Sequence, residues 1–138
     1  MARKSRQVLN VQKKITKATE KGVKRLVHHL TFDLRDATPK LTGFTSINWI
    51  PTIGRFFRGT VGNYSDAKRG IIKRRPQISA VATVKRQFKL GRRQRINIVN
   101  NAPAVESLND GNSRQAGAGF VQRTVKDAIK KAEKDISD

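Results

Sequence analysis

An apolar stripe through residues 8–36 constrains the fold of this chain more than any other feature. Apolar or small residues recur there every three or four positions, which is the spacing of one face of an amphipathic helix. Lysines fill the other faces, and Pro39 ends the pattern because the residue before a proline avoids helical backbone angles. The stripe predicts one long helix over residues 8–36 whose buried face consists of Val8, Val11, Ile15, Thr19, Gly22 or Val23, Leu26, Val27, Leu30 and Leu34.

The middle of the chain carries strand and turn patterns. Residues 45–53 alternate in part between apolar and polar, which predicts a strand that Pro51 cuts short. Residues 95–99 alternate cleanly and predict a second strand. The Asn-Asp-Gly sequence at residues 109–111 is typical of a tight turn.

Residues 77–90 leave two structures open. Their β-branched residues and a partial period of two favour a strand. Pro76, followed by Gln77 and Ser79, instead suits the first turn of a helix. The pattern alone does not decide between the two.

A second amphipathic segment follows Gly117 and Gly119 and runs to about residue 136. We therefore predict an α+β fold, in which a small antiparallel sheet is packed by a long N-terminal helix and a C-terminal helix. The 138 residues suit a single domain over residues 1–138, with a basic mobile loop at about residues 54–76. The face of the second helix is predicted to be Val121, Val125, Ala128, Ile129, Ala132 and Ile136.

Composition excludes several classes of protein. Without cysteine the chain has no disulfide framework, thiol nucleophile or Cys-based zinc site. The longest uncharged stretch of the first half, residues 41–54, is too short and too polar to span a bilayer. The basic start leads into no apolar region, so we expect no secretory signal and synthesis in the cytoplasm.

The charge is high and uneven. Thirty basic residues against ten acidic ones give a formal charge of +20, which implies a polyanionic neighbour or an acidic protein surface. The pattern does not choose between DNA, RNA and protein. Residues 67–95, here named the basic run, contain no acidic residue and eleven basic ones: Lys68, Arg69, Lys73, Arg74, Arg75, Lys85, Arg86, Lys89, Arg92, Arg93 and Arg95.

A search for catalytic or metal-binding patterns yields almost nothing. His28 and His29 point about 100° apart if helical, so they are poorly placed to share a metal ion. Phosphate-binding glycine loops and the dinucleotide motif are absent from the sequence, and its carboxylates are too scattered to predict an acid–base pair. We expect no enzymatic activity, no metal site and no cofactor. Four aromatic residues among the arginines would suit base stacking in principle, although core or loop-anchor roles are more common: Phe56, Phe57, Tyr64 and Phe88.

Two blocks of sequence resemble a known family. The first block, residues 38–49, reads TPKLTGFTSINW, and the second combines INIVNNAPA (96–104), LNDG (108–111) and SRQAGAGFV (113–121). In order and spacing they resemble the tail-component family of tailed bacteriophages, the neck or tail-completion proteins of the head–tail junction. The residues that carry the resemblance are Thr38, Pro39, Thr42, Gly43, Trp49, Asn100, Asn101, Pro103, Leu108, Gly111, Gln115, Gly119 and Phe120.

The match has two departures. Ala104 stands where the family usually has a tyrosine, and Gly117 stands where a proline is common. The contact that such a tyrosine makes is missing here, and the approach to the last helix is expected to be looser. Residues 54–94 add nothing to the resemblance.

The resemblance implies a structural virion protein of the neck or tail. Such a protein forms a homo-oligomeric ring, a hexamer or dodecamer, around the DNA channel. Its partners are a portal-side connector or head-closure protein, a tail terminator or tail tube protein, and genomic DNA in the channel. The basic run would face either the exiting genome or an acidic surface of an adjoining protein. The alternative is a stand-alone basic nucleic-acid-binding or packaging protein, which needs only the charge and leaves both blocks unexplained.

Overall fold

A computed structural model describes residues 8–9, 20–40, 43–111 and 117–137, with side chains for residues 20–40, 43–111 and 117–134. A 3₁₀ turn at Ser46–Asn48 precedes the second strand. The other elements, in chain order, are β1 (Val8–Leu9), α1 (Glu20–Ala37), β2 (Trp49–Ile53), α2 (Tyr64–Lys68), α3 (Arg75–Gln87), β3 (Ile96–Asn100), α4 (Val105–Asn109) and α5 (Phe120–Ser137).

The sheet has the strand order β1-β3-β2, and both pairings are antiparallel. The pairing of β2 with β3 runs from Trp49 opposite Asn100 to Ile53 opposite Ile96. Alternation along β3 directs Ile98 to the side of the sheet that meets α1, in the same apolar cluster as Trp49. The central strand therefore links the sheet to the core.

The core forms where α1 and α5 pack against each other and against the sheet. Leu26, Leu30 and Leu34 of α1 share one buried cluster with Val121 and Ala128 of α5. Ala132 is also buried, while Val125 and Ile129 are partly buried against the cluster. The predicted α+β fold, with a small antiparallel sheet packed by an N-terminal and a C-terminal helix, is confirmed. The predicted face of the C-terminal helix is confirmed as far as residue 132, and the side chain of Ile136 lies outside the described residues.

The N-terminal helix is shorter than predicted. It begins at Glu20, and Val8–Leu9 form a strand instead, with Val8 opposite Val99 and Leu9 opposite Ile98. The backbone N–H and C=O groups on one edge of β3 pair with β1. If residues 8–9 were helical, those groups would lose their partners. Residues 10–19, including three of the predicted core positions, lie outside the described residues.

Pro51 does not cut its strand short, contrary to the prediction. The N–H of Gly54 donates to the carbonyl of Arg95 at 2.7 Å. In an antiparallel ladder, hydrogen-bonded and non-bonded pairs alternate, so the residues of β2 that bond to β3 are those an even number of positions before Gly54. Pro51, three residues earlier, belongs to a non-bonded pair, and its missing N–H faces away from β3. An edge strand tolerates proline at such a position.

Local hydrogen bonds account for two further differences. The strand predicted over residues 45–53 begins only at Trp49, because the Ser46 hydroxyl and the Ile47 N–H both donate to the carbonyl of Gly43 and tighten the chain into the 3₁₀ turn. The tight turn predicted at residues 109–111 is present at Asp110 and Gly111, where Gly111 has a φ of 98°, but it directly follows a short helix, α4, whose end is closed by the N–H of Asp110 donating to the carbonyl of Glu106.

The ambiguous stretch at residues 77–90 is helical as far as Gln87. Pro76 lies in the first turn of α3, and Val81 and Val84 form its buried face. The helix packs against β2 and α1. The strand predicted at residues 95–99 is confirmed as β3, shifted by one residue.

The segment predicted as a basic mobile loop, residues 54–76, contains structure of its own. It includes α2 and the first two residues of α3. Its mobility stays a prediction. None of the described helices combines the length and apolar character that a membrane span requires.

Candidate interaction surface

Thr38 and Trp49 of the first block meet in the core. The Thr38 hydroxyl donates to the carbonyl of Leu34 at 2.6 Å and accepts the indole N–H of Trp49 at 2.8 Å. Both side chains are buried, and so is Pro39. The end of α1 is thereby fixed to the start of β2, which is a scaffold role.

Gly43 of the same block adopts a φ of 84°, a conformation that other residues rarely adopt. A Cβ atom there would lie 3.2 Å from Cδ1 of Ile72, so the turn also approaches the segment before α3 closely. Thr42, the other threonine of the motif, lies outside the described residues.

The second block is hydrogen-bonded to the first. The side-chain amide of Asn100 donates to the carbonyl of Thr45 at 2.9 Å, and its oxygen accepts the N–H of Ala102 at 2.9 Å. The amide of Asn101 donates to the carbonyls of Phe57 and Gly59 at 2.9 and 3.0 Å. The adjacent asparagines thus tie the end of β3 to two different parts of the chain.

Asn109 caps α5 across a chain reversal. Its side-chain oxygen accepts the N–H of Val121 at 2.9 Å, and its carbonyl accepts the N–H of Gly119 at 2.7 Å. The Val121 N–H belongs to the first turn of the helix, where no partner exists within the helix itself, and Gly119 directly precedes that turn. Sequence reasoning assigned Asn109 to a turn and missed this role. Only the Leu-Asn sequence before a glycine-rich reversal could have indicated it.

Three of the remaining motif residues also serve the fold. Leu108 packs against the main core cluster, and Phe120 is buried within it. Gly111 adopts positive φ where a Cβ atom would lie 3.2 Å from Cβ of Ala118. Pro103 is exposed, and Gln115 lies outside the described residues. Most of the described motif side chains are therefore unavailable to a partner in this conformation.

All eleven cations of the basic run are exposed. Within the described part of the chain, Arg69 is the one member that takes part in an ion pair, with Asp66 at 2.9 Å. Three other described carboxylates pair with cations outside the run: Asp33 with Lys131 at 3.1 Å, Asp36 with Arg35 at 3.0 Å and Glu20 with Lys24 at 3.4 Å. The basic run therefore presents positive charge that is largely uncompensated within the described residues.

The basic run is arranged around α3. Arg74 and Arg75 lie at its N-terminus, and Lys85 and Arg86 lie in its last turn. At a rise of 1.5 Å per residue, the backbone positions of Arg75 and Lys85 are about 15 Å apart along the helix axis. The helix contains no acidic residue. Cations at a helix N-terminus interact unfavourably with the helix dipole, so the positions of Arg74 and Arg75 do not stabilise the fold. A bound anion would offset this repulsion.

Glu20, the first residue of α1, contacts the part of the basic run that follows α3. Its carboxylate accepts the N–H of Leu90 at 3.0 Å, and this bond lowers the pKa of the carboxyl group. Lys24 and Lys89 act in the same direction. The contact fixes the start of α1 against the chain that follows α3.

The two histidines of the chain lie side by side on α1, and the described residues near them form no metal site. No three His, Asp or Glu side chains of the described residues are grouped so as to hold a metal ion. The rings of His28 and His29 are perpendicular with centroids 5.9 Å apart, and His28 also packs edge to face on Phe32. Burial lowers the pKa of His28, and Lys85 adds to this effect.

The four aromatic residues considered for base stacking do not form one group. Phe88 is buried with Val23, which is a core role. Tyr64 packs edge to face on Phe44 with ring centroids 6.1 Å apart. Phe56, which is 44% exposed, and the half-buried Phe57 are neighbours on the loop that follows β2.

Comparisons of the chain with protein-family models, with curated proteins and with solved structures return no match.

Proposed function

We propose that this chain is a structural virion protein of the bacteriophage head–tail junction. In this proposal it forms a hexameric or dodecameric ring that joins the portal-side connector to the tail around the DNA channel. It acts by docking and has no catalytic role.

One observation carries the proposal: the first of the two blocks that resemble the neck or tail-completion family is hydrogen-bonded to residues 96–104 of the second. Trp49 of the first block lies opposite Asn100 of the second in the sheet, and the Asn100 amide donates to Thr45. Motif residues that are far apart in sequence thus meet around one junction of α1, β2 and β3. A scaffold shared among family members would place them in this way.

The basic run supports the docking role. A ring of subunits that each carry +20 requires anionic neighbours, because exposed like charges repel one another over about 10 Å at ordinary salt. The neighbours in this proposal are the connector or head-closure protein, the tail terminator or tail tube protein, and the genome. Contacts made by such cations weaken as salt rises.

The proposal is tested with the purified full chain. Light scattering and negative-stain images are expected to find closed rings of six or twelve subunits. A monomer or dimer that gives a tight, saturable gel shift with duplex DNA would instead favour the stand-alone nucleic-acid-binding alternative.

A further inference from the structure

A groove of about 920 Å³ lies between β2, α3 and the chain that follows β2. It is distinct from the basic run, which lies mainly at the two ends of α3 and beyond them. Its lining is more apolar than polar. Its aliphatic residues, here called the floor, are the half-buried Ile53 and Val61 and the buried Ile50 and Val84. A volume of this size is in the range of specific binding pockets. We name it the α3–β2 groove.

The outer wall of the groove, residues 55–61, is held in place by side chains in β2 and directly beside the sheet. The Thr52 hydroxyl donates to the carbonyl of Arg55 at 2.5 Å. The Asn101 amide holds the carbonyls of Phe57 and Gly59, and the oxygen of the Asn48 amide accepts the N–H of Val61 at 2.7 Å. These bonds fix the wall before any ligand arrives, which reduces the entropy lost on binding.

The two walls offer different chemistry. The outer wall carries Arg55 and Arg58, which are exposed and have no ion-pair partner among the described residues. The α3 wall carries Ser79, Thr83 and Gln87, spaced four residues apart and so aligned along one helix face. The groove therefore joins an apolar floor to positive charge on one side and neutral hydrogen-bonding groups on the other.

Addition of a further strand to β2 is not available to a ligand here. Pro51 has no N–H on the outer edge of β2. The carbonyl of Trp49 on that edge already accepts the Gln77 amide at 3.1 Å, and the carbonyl of Ile53 accepts the N–H of Arg55 at 3.2 Å. A ligand must therefore use side chains and the α3 wall.

The aliphatic character of the floor favours an apolar side chain over a nucleobase as the ligand. A nucleobase binds best on flat aromatic surface, whereas this floor is aliphatic and its two phenylalanines, Phe56 and Phe57, are neighbours on one wall. An aliphatic pocket with arginines at its rim instead suits an apolar side chain flanked by carboxylates. We propose that the α3–β2 groove binds an acidic peptide segment of a partner protein, with an apolar side chain on the floor and carboxylates on Arg55 and Arg58.

This inference does not depend on the proposed role in a phage neck. A protein that proves to be a stand-alone nucleic-acid binder could still use the groove for an acidic protein segment. Conversely, a neck protein could lack a ligand in this groove.

The first test uses the full chain and a library of fluorescein-labelled octapeptides. Two central positions are Leu, Ile, Phe or Met, and the others are Asp, Glu or Ser; the control library has Lys in place of Asp and Glu. Saturable binding of the acidic library and NMR amide shifts at Ser79, Ala80 and Thr83 are expected. Absence of saturable binding, or shifts confined to residues outside the groove, would overturn the proposal.

Variants then separate groove binding from general charge attraction. Arg55→Glu with Arg58→Glu is expected to weaken binding at least about tenfold, since both carboxylate partners are reversed. Arg86→Glu with Arg92→Glu changes the net charge equally outside the groove and is expected to weaken binding less than about threefold. Equal losses in the two double variants would contradict the proposal.

A third variant and a competitor complete the test. Ala80→Trp fills the groove without a charge change and is expected to weaken binding at least about tenfold, with circular dichroism as the check on folding. Oligothymidylate is expected not to displace the peptides from the groove at moderate salt. If it displaces them and shifts the same groove amides, the groove is a nucleic-acid site and the proposal fails.

Discussion

The indole N–H of Trp49 donates to the hydroxyl of Thr38 at 2.8 Å, with the two side chains 0% and 1% exposed. The same hydroxyl donates to the carbonyl of Leu34, so one side chain ends α1 and positions β2. A buried donor that loses its acceptor costs the free energy of its desolvation. The fold is therefore expected to be sensitive to the loss of this contact between the end of the first helix and the sheet.

Thr38→Val keeps the shape of the side chain and removes its hydroxyl. We expect the free energy of unfolding to fall by about 1–3 kcal/mol, because the Trp49 N–H is left buried without an acceptor. Urea denaturation followed by tryptophan fluorescence measures the change. Thr124→Val is the control, since that half-buried hydroxyl bonds only to the carbonyl of Phe120 within α5. Equal losses in the two variants would show that the Trp49 contact contributes nothing.

Asn109→Ala removes the side chain that caps α5. The expected loss is about 1 kcal/mol of unfolding free energy, because the N–H of Val121 loses its partner at the start of a helix that forms part of the core. Asn63 caps the short exposed helix α2 by accepting the N–H of Asp66 at 2.7 Å, so Asn63→Ala is the matched control. A larger loss at position 63 than at position 109 would contradict the assignment.

Neutralisation of the basic run should weaken polyanion binding more than neutralisation elsewhere. The variant carries glutamine at Lys73, Arg74 and Arg75, and the control carries glutamine at the exposed Lys21, Lys126 and Lys130. With duplex DNA, log K decreases as log salt increases. We expect the steepness of this dependence to be reduced by about one for each replaced cation that contacts a phosphate. Fluorescence anisotropy at four salt concentrations gives the slopes. Equal slopes for the two variants would mean that net charge alone, and no defined surface, determines binding.

His28 should make stability depend on pH. Its pKa is lowered from the usual 6.5, chiefly by burial and further by Lys85 and His29. The unfolded chain therefore binds the proton more readily than the folded one, and the free energy of unfolding falls as pH drops through and below 6.5.

The test compares the wild type, His28→Gln and the control His29→Gln at pH 7.5 and pH 5.5. We expect His28→Gln to reduce the loss of unfolding free energy between these two pH values, and His29→Gln to reduce it less. An unchanged loss in His28→Gln would exclude this histidine as a source of the dependence.

Periodic elements with local signals were predictable from the sequence. The stripe over Leu26, Leu30 and Leu34 identified the buried face of α1, and the alternation at residues 95–99 identified β3. In each case the residues that bury the element recur at its own period. The start of α1 was not predictable in the same way, because the two residues of β1 are too few to show a period of two and their partner lies about ninety positions away.

The parts that escaped sequence reasoning depend on side-chain bonds between distant residues. Asn109 carries a turn signature, yet its oxygen caps a helix twelve residues later. Asn101 belongs to a recognisable block, yet its amide holds a wall of the groove 44 residues earlier. Turn chemistry identifies such residues as structural but does not say which segment they hold, because many distant backbone groups could satisfy the same amide.

The central claim is that the chain is a component of an assembled tailed particle. Gold-labelled antibody against the purified protein, applied to particles grown from the genome that encodes it, tests this most directly by electron microscopy. Label concentrated at the junction of head and tail is the predicted result. Particles that carry no label, with the protein found only in the unassembled fraction of the lysate, would contradict the claim.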